Sequence, residues 1–164
     1  MTFRAFAHLA MRWALLWAAL CTATAQAAPT FEDTLAQRTL ACTACHGQQG
    51  RAGPDGYYPR IAGKPAGYLY NQLLNLRDGR RHYPLMTGLL DPLTDSYLLE
   101  IAQYFSKLEV PYPPPPATTA QPAELQRGQL LATRGDVSQK VPACTQCHGK
   151  ALTGVAPGIP GLLG

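Results

Sequence analysis

The chain has 164 residues, of which 46% are hydrophobic and 15% are charged, and its 14 basic and 10 acidic residues give a net charge of +4. Nucleic-acid binding calls for a clustered basic face, which so weak a charge does not supply, so we expect no nucleic-acid partner. The 15 glycines and 15 prolines favour a small, loop-rich fold whose thin core needs additional apolar mass.

The first segment, residues 1–27, has the features of a cleavable secretory signal peptide. Arg4 and Arg12 precede an apolar run over residues 13–20, and the small-residue pattern at 25–27 is typical of a cleavage site. The apolar run is far shorter than the ~20 residues of a membrane-spanning helix, and we expect no transmembrane span elsewhere. We therefore expect an exported protein and, in a bacterium, a periplasmic location.

Two copies of one short motif, Cys-x-x-Cys-His, lie at residues 42–46 and 144–148. This spacing is that of a c-type haem attachment site. Two thiols three positions apart can each form a thioether with a haem vinyl group, and the histidine that follows can supply an axial nitrogen to the iron. We expect two haem c groups per chain, held by Cys42, Cys45, His46, Cys144, Cys147 and His148.

Other uses of these cysteines are less consistent with the pattern. Zinc modules usually place their two Cys-x-x-Cys units about 15–20 residues apart, far closer than here. A thioredoxin-like redox pair needs a βαβ context, which the sequence does not indicate. Structural disulfides do not call for a histidine after each pair.

Three helices are predicted in the first unit, residues 28–110. A glycine, Gly79, ends the second helix, and Thr94 caps the third. The apolar residues of the third helix fall on one stripe, which indicates a core-facing helix. The sequence shows no strand pattern in this unit, so we predict a small all-α fold around the haem motif. The helices span residues 31–40, 65–78 and 94–108, and the stripe contains Leu98, Ile101, Ala102, Phe105 and Leu108.

A proline-rich segment over residues 111–122 is predicted to be an extended linker, and a second unit follows over residues 123–164. The second unit repeats the helical lead-in and the motif of the first but has no methionine and no closing helix. We expect either a fragment of a longer protein, which we favour, or a second haem with water, an open site or a ligand from elsewhere.

Several stretches of the chain resemble the class I cytochromes c, specifically the dihaem cytochrome c4 type and its single-haem, cytochrome c553-related relatives. The resemblance covers nearly all of the first unit and the opening half of the second. It implies an all-α fold of two class I cytochrome c domains in tandem, the second incomplete. It also implies a soluble electron carrier with the two haem domains face to face. The matching stretches are residues 41–47, 58–64, 68–73, 90–95 and 101–106, with Met86 between them.

The resemblance also implies the remaining haem contacts. A methionine just before the last helix caps the iron in that family, and Met86 occupies this place; it is also the only methionine left after signal removal. A surface methionine and His82 as a rival ligand are the alternatives. Pro59 and Pro160 match the proline whose carbonyl accepts a hydrogen bond from the ligating histidine.

The function expected from these features is one-electron transfer in a respiratory chain, without catalysis. The expected partners are a donor dehydrogenase or quinol oxidase and an acceptor terminal oxidase. One alternative is a haem-bearing electron-transfer subunit docked on a periplasmic dehydrogenase. A catalytic dihaem enzyme is the other, although no acid/base cluster is evident near either motif.

Overall fold

The computed structural model describes residues 32–53, 57–114 and 117–163, so the predicted signal peptide lies outside the described residues. Residues 34–164 form one compact unit. The described residues are mainly helical, as the sequence predicts. Their helices are α1 (Leu35–Arg38), α2 (Leu40–His46), α3 (Ala66–Arg77), α4 (Pro84–Leu90), α5 (Asp95–Ser106), α6 (Pro122–Arg134) and α7 (Cys144–His148), with a 3₁₀ turn at Gln48–Gly50.

The predicted helix over residues 31–40 begins outside the described residues; within them it is α1, and after Thr39 the chain enters a separate helix, α2. Thr34 begins α1, where its side chain accepts a hydrogen bond from the Gln37 N–H. The buried Thr39 hydroxyl donates to the Leu35 carbonyl over 2.7 Å, which competes with regular helix continuation. The second helix then carries the chain through the first motif to His46.

The core of the first part of the chain lies between α3 and α5. Leu69 on α3 packs against Ile101, Ala102 and Phe105 on α5, and the partly buried Leu108 joins this cluster. The apolar stripe predicted for the third helix is therefore confirmed. The Thr94 cap is confirmed as well, since its side chain accepts from the Tyr97 N–H over 3.3 Å.

A helix that the sequence analysis did not predict, α4, lies between α3 and α5. Pro84 occupies its first turn, where the missing proline N–H is not needed. The Thr87 hydroxyl donates to the carbonyl of Leu76 on α3 over 2.8 Å. Leu90 on α4 packs with Leu76 and with Leu98 on α5, so α4 is fixed against both neighbouring helices.

The last part of the chain contains α6, α7 and a small hairpin. A reciprocal cap begins α6, in which the Gln121 N–H donates to the Glu124 carboxylate over 2.9 Å. The strands β1 (Gly154–Val155) and β2 (Ile159–Pro160) pair antiparallel. The all-α class predicted from the sequence is confirmed, and the glycine- and proline-rich loop closes within it as a short hairpin.

Within the described part of the chain, no helix has both the length and the apolar character needed to cross a bilayer. The division into two domains joined by a linker at residues 111–122 stays a prediction.

Candidate functional site

The first motif lies on α2, so Cys42 and Cys45 are three positions apart on one helix face and His46 is the last helical residue. Both cysteine side chains are half-buried free thiols, and His46 is buried. Burial raises the pKa of the Cys42 thiol above its usual value, against a smaller opposing effect of a backbone hydrogen bond. The helix therefore presents two thiols and an imidazole together.

The protonation of His46 follows from its partner. Its Nδ1 lies 2.8 Å from the carbonyl oxygen of Pro59, which confirms the contact predicted for Pro59. A carbonyl oxygen can only accept, so Nδ1 must carry the proton and donate it in this bond. In the neutral ring the other nitrogen, Nε2, then keeps its lone pair, which is the form in which imidazole binds a metal.

The second motif repeats this arrangement on α7. His148 Nδ1 lies 2.6 Å from the carbonyl oxygen of Pro160, so the same tautomer holds, and the contact predicted for Pro160 is confirmed. This site is more open than the first, because Cys147 is exposed and His148 is only half-buried. Both motifs nevertheless present the same donor set: two free thiols and an imidazole with an available Nε2.

A glycine follows each motif histidine and turns the chain toward the proline carbonyl. Gly47 has φ 74° and ψ 165°, and Gly149 has φ 81° and ψ 159°. These angles lie in a region that is essentially restricted to glycine. After Gly47 the loop closes through the Ala52 N–H, which donates to the His46 carbonyl over 2.8 Å.

The predicted methionine ligand lies on α4. Met86 is half-buried and packs against the cluster of Leu76, Leu90 and Leu98. It is therefore not a surface loop methionine. The rival residue, His82, is exposed and precedes α4. The axial role of Met86 stays a prediction.

Three tyrosines near the first site were missed by the sequence analysis. The Tyr58 ring meets the His46 imidazole edge-on at 6.1 Å between centroids, and Tyr57 meets Tyr58 in the same way at 4.9 Å. A hydrogen bond with Tyr57 and burial raise the pKa of Tyr83 to about 12. Since Tyr83 precedes α4, these contacts join the loop that carries Pro59 to the helix that carries Met86.

Two buried cations in the same loop were also missed. Arg60 donates to the carbonyls of Ala62, Val110 and Pro111, and its guanidinium lies 4.3 Å from the centroid of the Tyr112 ring. Arg60 therefore anchors the start of the proline-rich segment. Lys64 donates to the carbonyls of Gly161 and Leu163, which follow Pro160 in the sequence.

The donor sets fit haem c better than zinc. Among the residues that the structure describes, no cluster of three or more histidine, cysteine or acidic side chains could hold a metal ion. A bare zinc ion needs about four convergent ligands. A c-type haem instead needs two thiols and one imidazole nitrogen on one side, which each motif presents separately.

No protein-family model matches the chain. Among curated proteins, the thiosulfate dehydrogenase electron acceptor of Thiomonas intermedia is 39% identical over 138 residues, which cover 84% of this chain and 63% of that protein. Cytochrome c-554(548) of Halomonas halodenitrificans is 38% identical over 71 residues, which cover 42% of this chain and 84% of that protein.

The chain is also similar to a cytochrome among the solved structures. Reduced recombinant cytochrome c4 from Pseudomonas stutzeri matches with a TM-score of 0.60 and 36% identity, covering 72% of this chain and 64% of that one. The chain thus spans less than two thirds of the length of this cytochrome and of the thiosulfate dehydrogenase electron acceptor. With its two Cys-x-x-Cys-His motifs on helices, its all-α fold and its likeness to cytochrome c-554(548), the chain belongs to the class I c-type cytochromes, with haem c as its cofactor, and it is similar to the dihaem cytochrome c4 type.

Proposed function

We propose that this chain carries single electrons between redox proteins of a bacterial periplasm. The observation that supports this most directly is the shared tautomer of the two motif histidines. His46 and His148 both donate from Nδ1 to a proline carbonyl, which leaves Nε2 of each free to bind iron. Two equivalent iron-binding imidazoles suit storage and transfer of two electrons, one at a time.

At the first site, Cys42 and Cys45 would hold the haem through two thioethers, and His46 and Met86 would bind its iron. Haem c, when bound, supplies an iron that gains and loses one electron. The hydrogen bond from His46 to Pro59 holds the ring in place and raises the basicity of Nε2. The soft thioether of Met86 favours the ferrous state and raises the reduction potential.

At the second site, Cys144 and Cys147 would hold the haem through two thioethers, and His148 would bind its iron. The hydrogen bond from His148 to the Pro160 carbonyl holds this ring in place and raises the basicity of its Nε2, as the bond to Pro59 does for His46. The greater exposure of Cys147 suits a haem edge that is accessible to a redox partner. The signal-like residues 1–27 support the periplasmic location, where c-type haem is attached after export.

A second candidate is a dedicated acceptor for a dehydrogenase. A 39% identical relative is named as the electron acceptor of a thiosulfate dehydrogenase, which favours a dehydrogenase as the donor. One relative is named as an electron acceptor and another as a cytochrome c, and both names suit a carrier rather than an enzyme.

An anaerobic reductive titration of the haem-loaded protein tests the proposal. The expected result is two electrons taken up per chain, in two one-electron steps, with full reoxidation by a ferric cytochrome acceptor. Uptake of one electron or none per chain would contradict it.

Stopped-flow mixing separates the two candidates. Thiosulfate alone should leave the protein oxidised, because the chain is proposed as a carrier. Thiosulfate together with a purified thiosulfate dehydrogenase should reduce it rapidly if it is the dedicated acceptor. Slow reduction by that enzyme, with rapid reduction by another donor, supports the general carrier, and reduction by thiosulfate alone would show that the chain is itself an enzyme.

A further inference from the structure

Lys64 is a buried cation that bonds across the chain. Only 6% of the residue is exposed, and its Nζ donates to the carbonyl of Leu163 over 2.7 Å and to that of Gly161 over 3.4 Å. Within the described residues no ion pair joins it to a carboxylate. Both of its hydrogen bonds therefore go to backbone that lies almost a hundred positions later.

These acceptors belong to the segment whose Pro160 carbonyl accepts from the second motif histidine, His148. We call residues 59–64 the first carbonyl loop, because its Pro59 carbonyl accepts from His46. We call residues 159–163 the second carbonyl loop, because its Pro160 carbonyl accepts from His148. Lys64 ends the first loop and donates to the second, so one side chain links the two segments that orient the motif histidines.

A second observation shows the same close approach independently. A Cβ added to Gly67, at the start of α3, would lie 2.5 Å from the carbonyl oxygen of Pro157, just before the second carbonyl loop. No real Cβ comes that close to a backbone oxygen, so this contact requires glycine at position 67. Residues 64–67 and residues 157–163 therefore touch at more than one point.

The burial of Lys64 has a cost that its carbonyl bonds offset. An ammonium group removed from water is destabilising unless it is hydrogen-bonded. Burial, and to a smaller extent the charge of nearby Arg60, lower the pKa of Lys64 below its usual value. A long apolar side chain would fill this position without that cost. We therefore look to the two carbonyls that the ammonium group binds for the reason that a lysine occupies it.

We propose that Lys64 is a positioning residue that holds the two carbonyl loops, and with them His46 and His148, in a fixed relation to each other. The inference rests on the proposed function and deepens it: exchange of electrons between the two haem sites depends on this link. Loss of the link lets the second carbonyl loop move relative to the first.

The test compares three variants of the haem-loaded protein. Lys64→Met keeps the length of the side chain but removes all its N–H donors. Lys64→Gln keeps an N–H donor without the charge. Lys107→Met is the matched control, because Lys107 is exposed at the end of α5. Circular dichroism and haem content establish that each variant is folded and loaded; if Lys64→Met fails either check, Lys64→Gln decides.

The first readout is the rate of electron exchange between the two haems after flash reduction. We expect Lys64→Met to slow it several-fold, since the rate of electron transfer between two sites falls as their separation grows. Lys64→Gln should recover part of the rate, and Lys107→Met should match the wild type. An unchanged rate in Lys64→Met would overturn the inference while leaving the proposed function intact.

The second readout does not depend on haem chemistry. The Leu162 N–H donates to the Leu152 carbonyl over 2.8 Å inside the second part of the chain. Hydrogen exchange at Leu162 should accelerate in Lys64→Met, whereas exchange at Ile101 in the α5 core should not change. If the protein holds fewer than two reducible haems, the proposed function fails, and exchange at Leu162 alone decides the role of Lys64: unchanged protection would refute it.

Discussion

The two glycines that follow the motif histidines provide a matched pair of substitutions, Gly47→Ala and Gly149→Ala. Both glycines have backbone angles that other residues rarely adopt. An alanine held in this conformation is expected to lower the free energy of unfolding by about 1–3 kcal/mol. Their surroundings differ. A Cβ at Gly47 would lie 2.4 Å from the Ala52 carbonyl oxygen, whereas the nearest atoms to a Cβ at Gly149 are 3.4 Å away.

The overlap at Gly47 involves backbone, so it cannot be relieved by rotating a side chain. Overpacking of this kind adds about 1–3 kcal/mol to the backbone cost. Gly47→Ala should therefore lower the free energy of unfolding by about 2–6 kcal/mol, and Gly149→Ala by about 1–3 kcal/mol. Gly128→Ala in α6 should raise it by about 0.5–1 kcal/mol, because its Cβ meets nothing within 4 Å and alanine is the better helix former.

Urea unfolding followed by far-ultraviolet circular dichroism measures these differences. With a slope of about 1–3 kcal/mol per molar urea, the loss in Gly47→Ala moves the midpoint by roughly 1 M or more. Equal midpoints for Gly47→Ala and Gly149→Ala would refute the role assigned to the Ala52 carbonyl. A wild-type midpoint in both would refute the backbone argument itself.

Three further predictions concern the core, the axial ligand and the tyrosines. Phe105→Ala removes a side chain that is 2% exposed and should destabilise the protein by about 3–5 kcal/mol in thermal or urea unfolding. Met86→Ala should lower the reduction potential of one haem, measured by spectroelectrochemistry, while Leu85→Ala, at an exposed neighbour on α4, should change neither potential. An unchanged potential in Met86→Ala would remove Met86 as a ligand. Because the pKa of Tyr83 rises to about 12 in the folded protein, folding favours its protonated form, so its contribution to stability is complete below pH 10 and is lost as the pH rises toward 12. The Tyr83→Phe variant should lack one phenol transition near pH 12 in an ultraviolet titration, and a lost transition near pH 10 instead would contradict this reading.

Local sequence signals predicted much of this structure. The apolar stripe of the third helix predicts which of its side chains are buried. The buried residues on this stripe are Leu98, Ile101, Ala102 and Phe105. The Thr94 cap is a local hydrogen bond between residues three apart, so its sequence signature is reliable. The motif histidines have a sequence signature of their own, whereas their proline partners were predicted from the resemblance to the class I cytochromes c.

Features that depend on distant contacts could not be predicted. The α4 helix has seven residues, too few for a clear periodicity, and it is held by contacts to α3 and α5. Lys64 resembles any surface lysine in the sequence, because its acceptors Gly161 and Leu163 lie in another part of the chain. The contacts among the tyrosines near His46 could not be predicted, because nothing in the sequence brings Tyr57 and Tyr58, beside Pro59, close to Tyr83, just before α4.

The intact mass of the exported protein under denaturing conditions tests the central claim most directly. The account predicts the mass of the processed polypeptide plus two covalently bound haem groups. Replacement of Cys144 and Cys147 by alanine should remove the mass of one haem and leave the other in place. A polypeptide that carries one haem or none, or that loses its haem on denaturation, would contradict the assignment of two thioether-linked haem c groups.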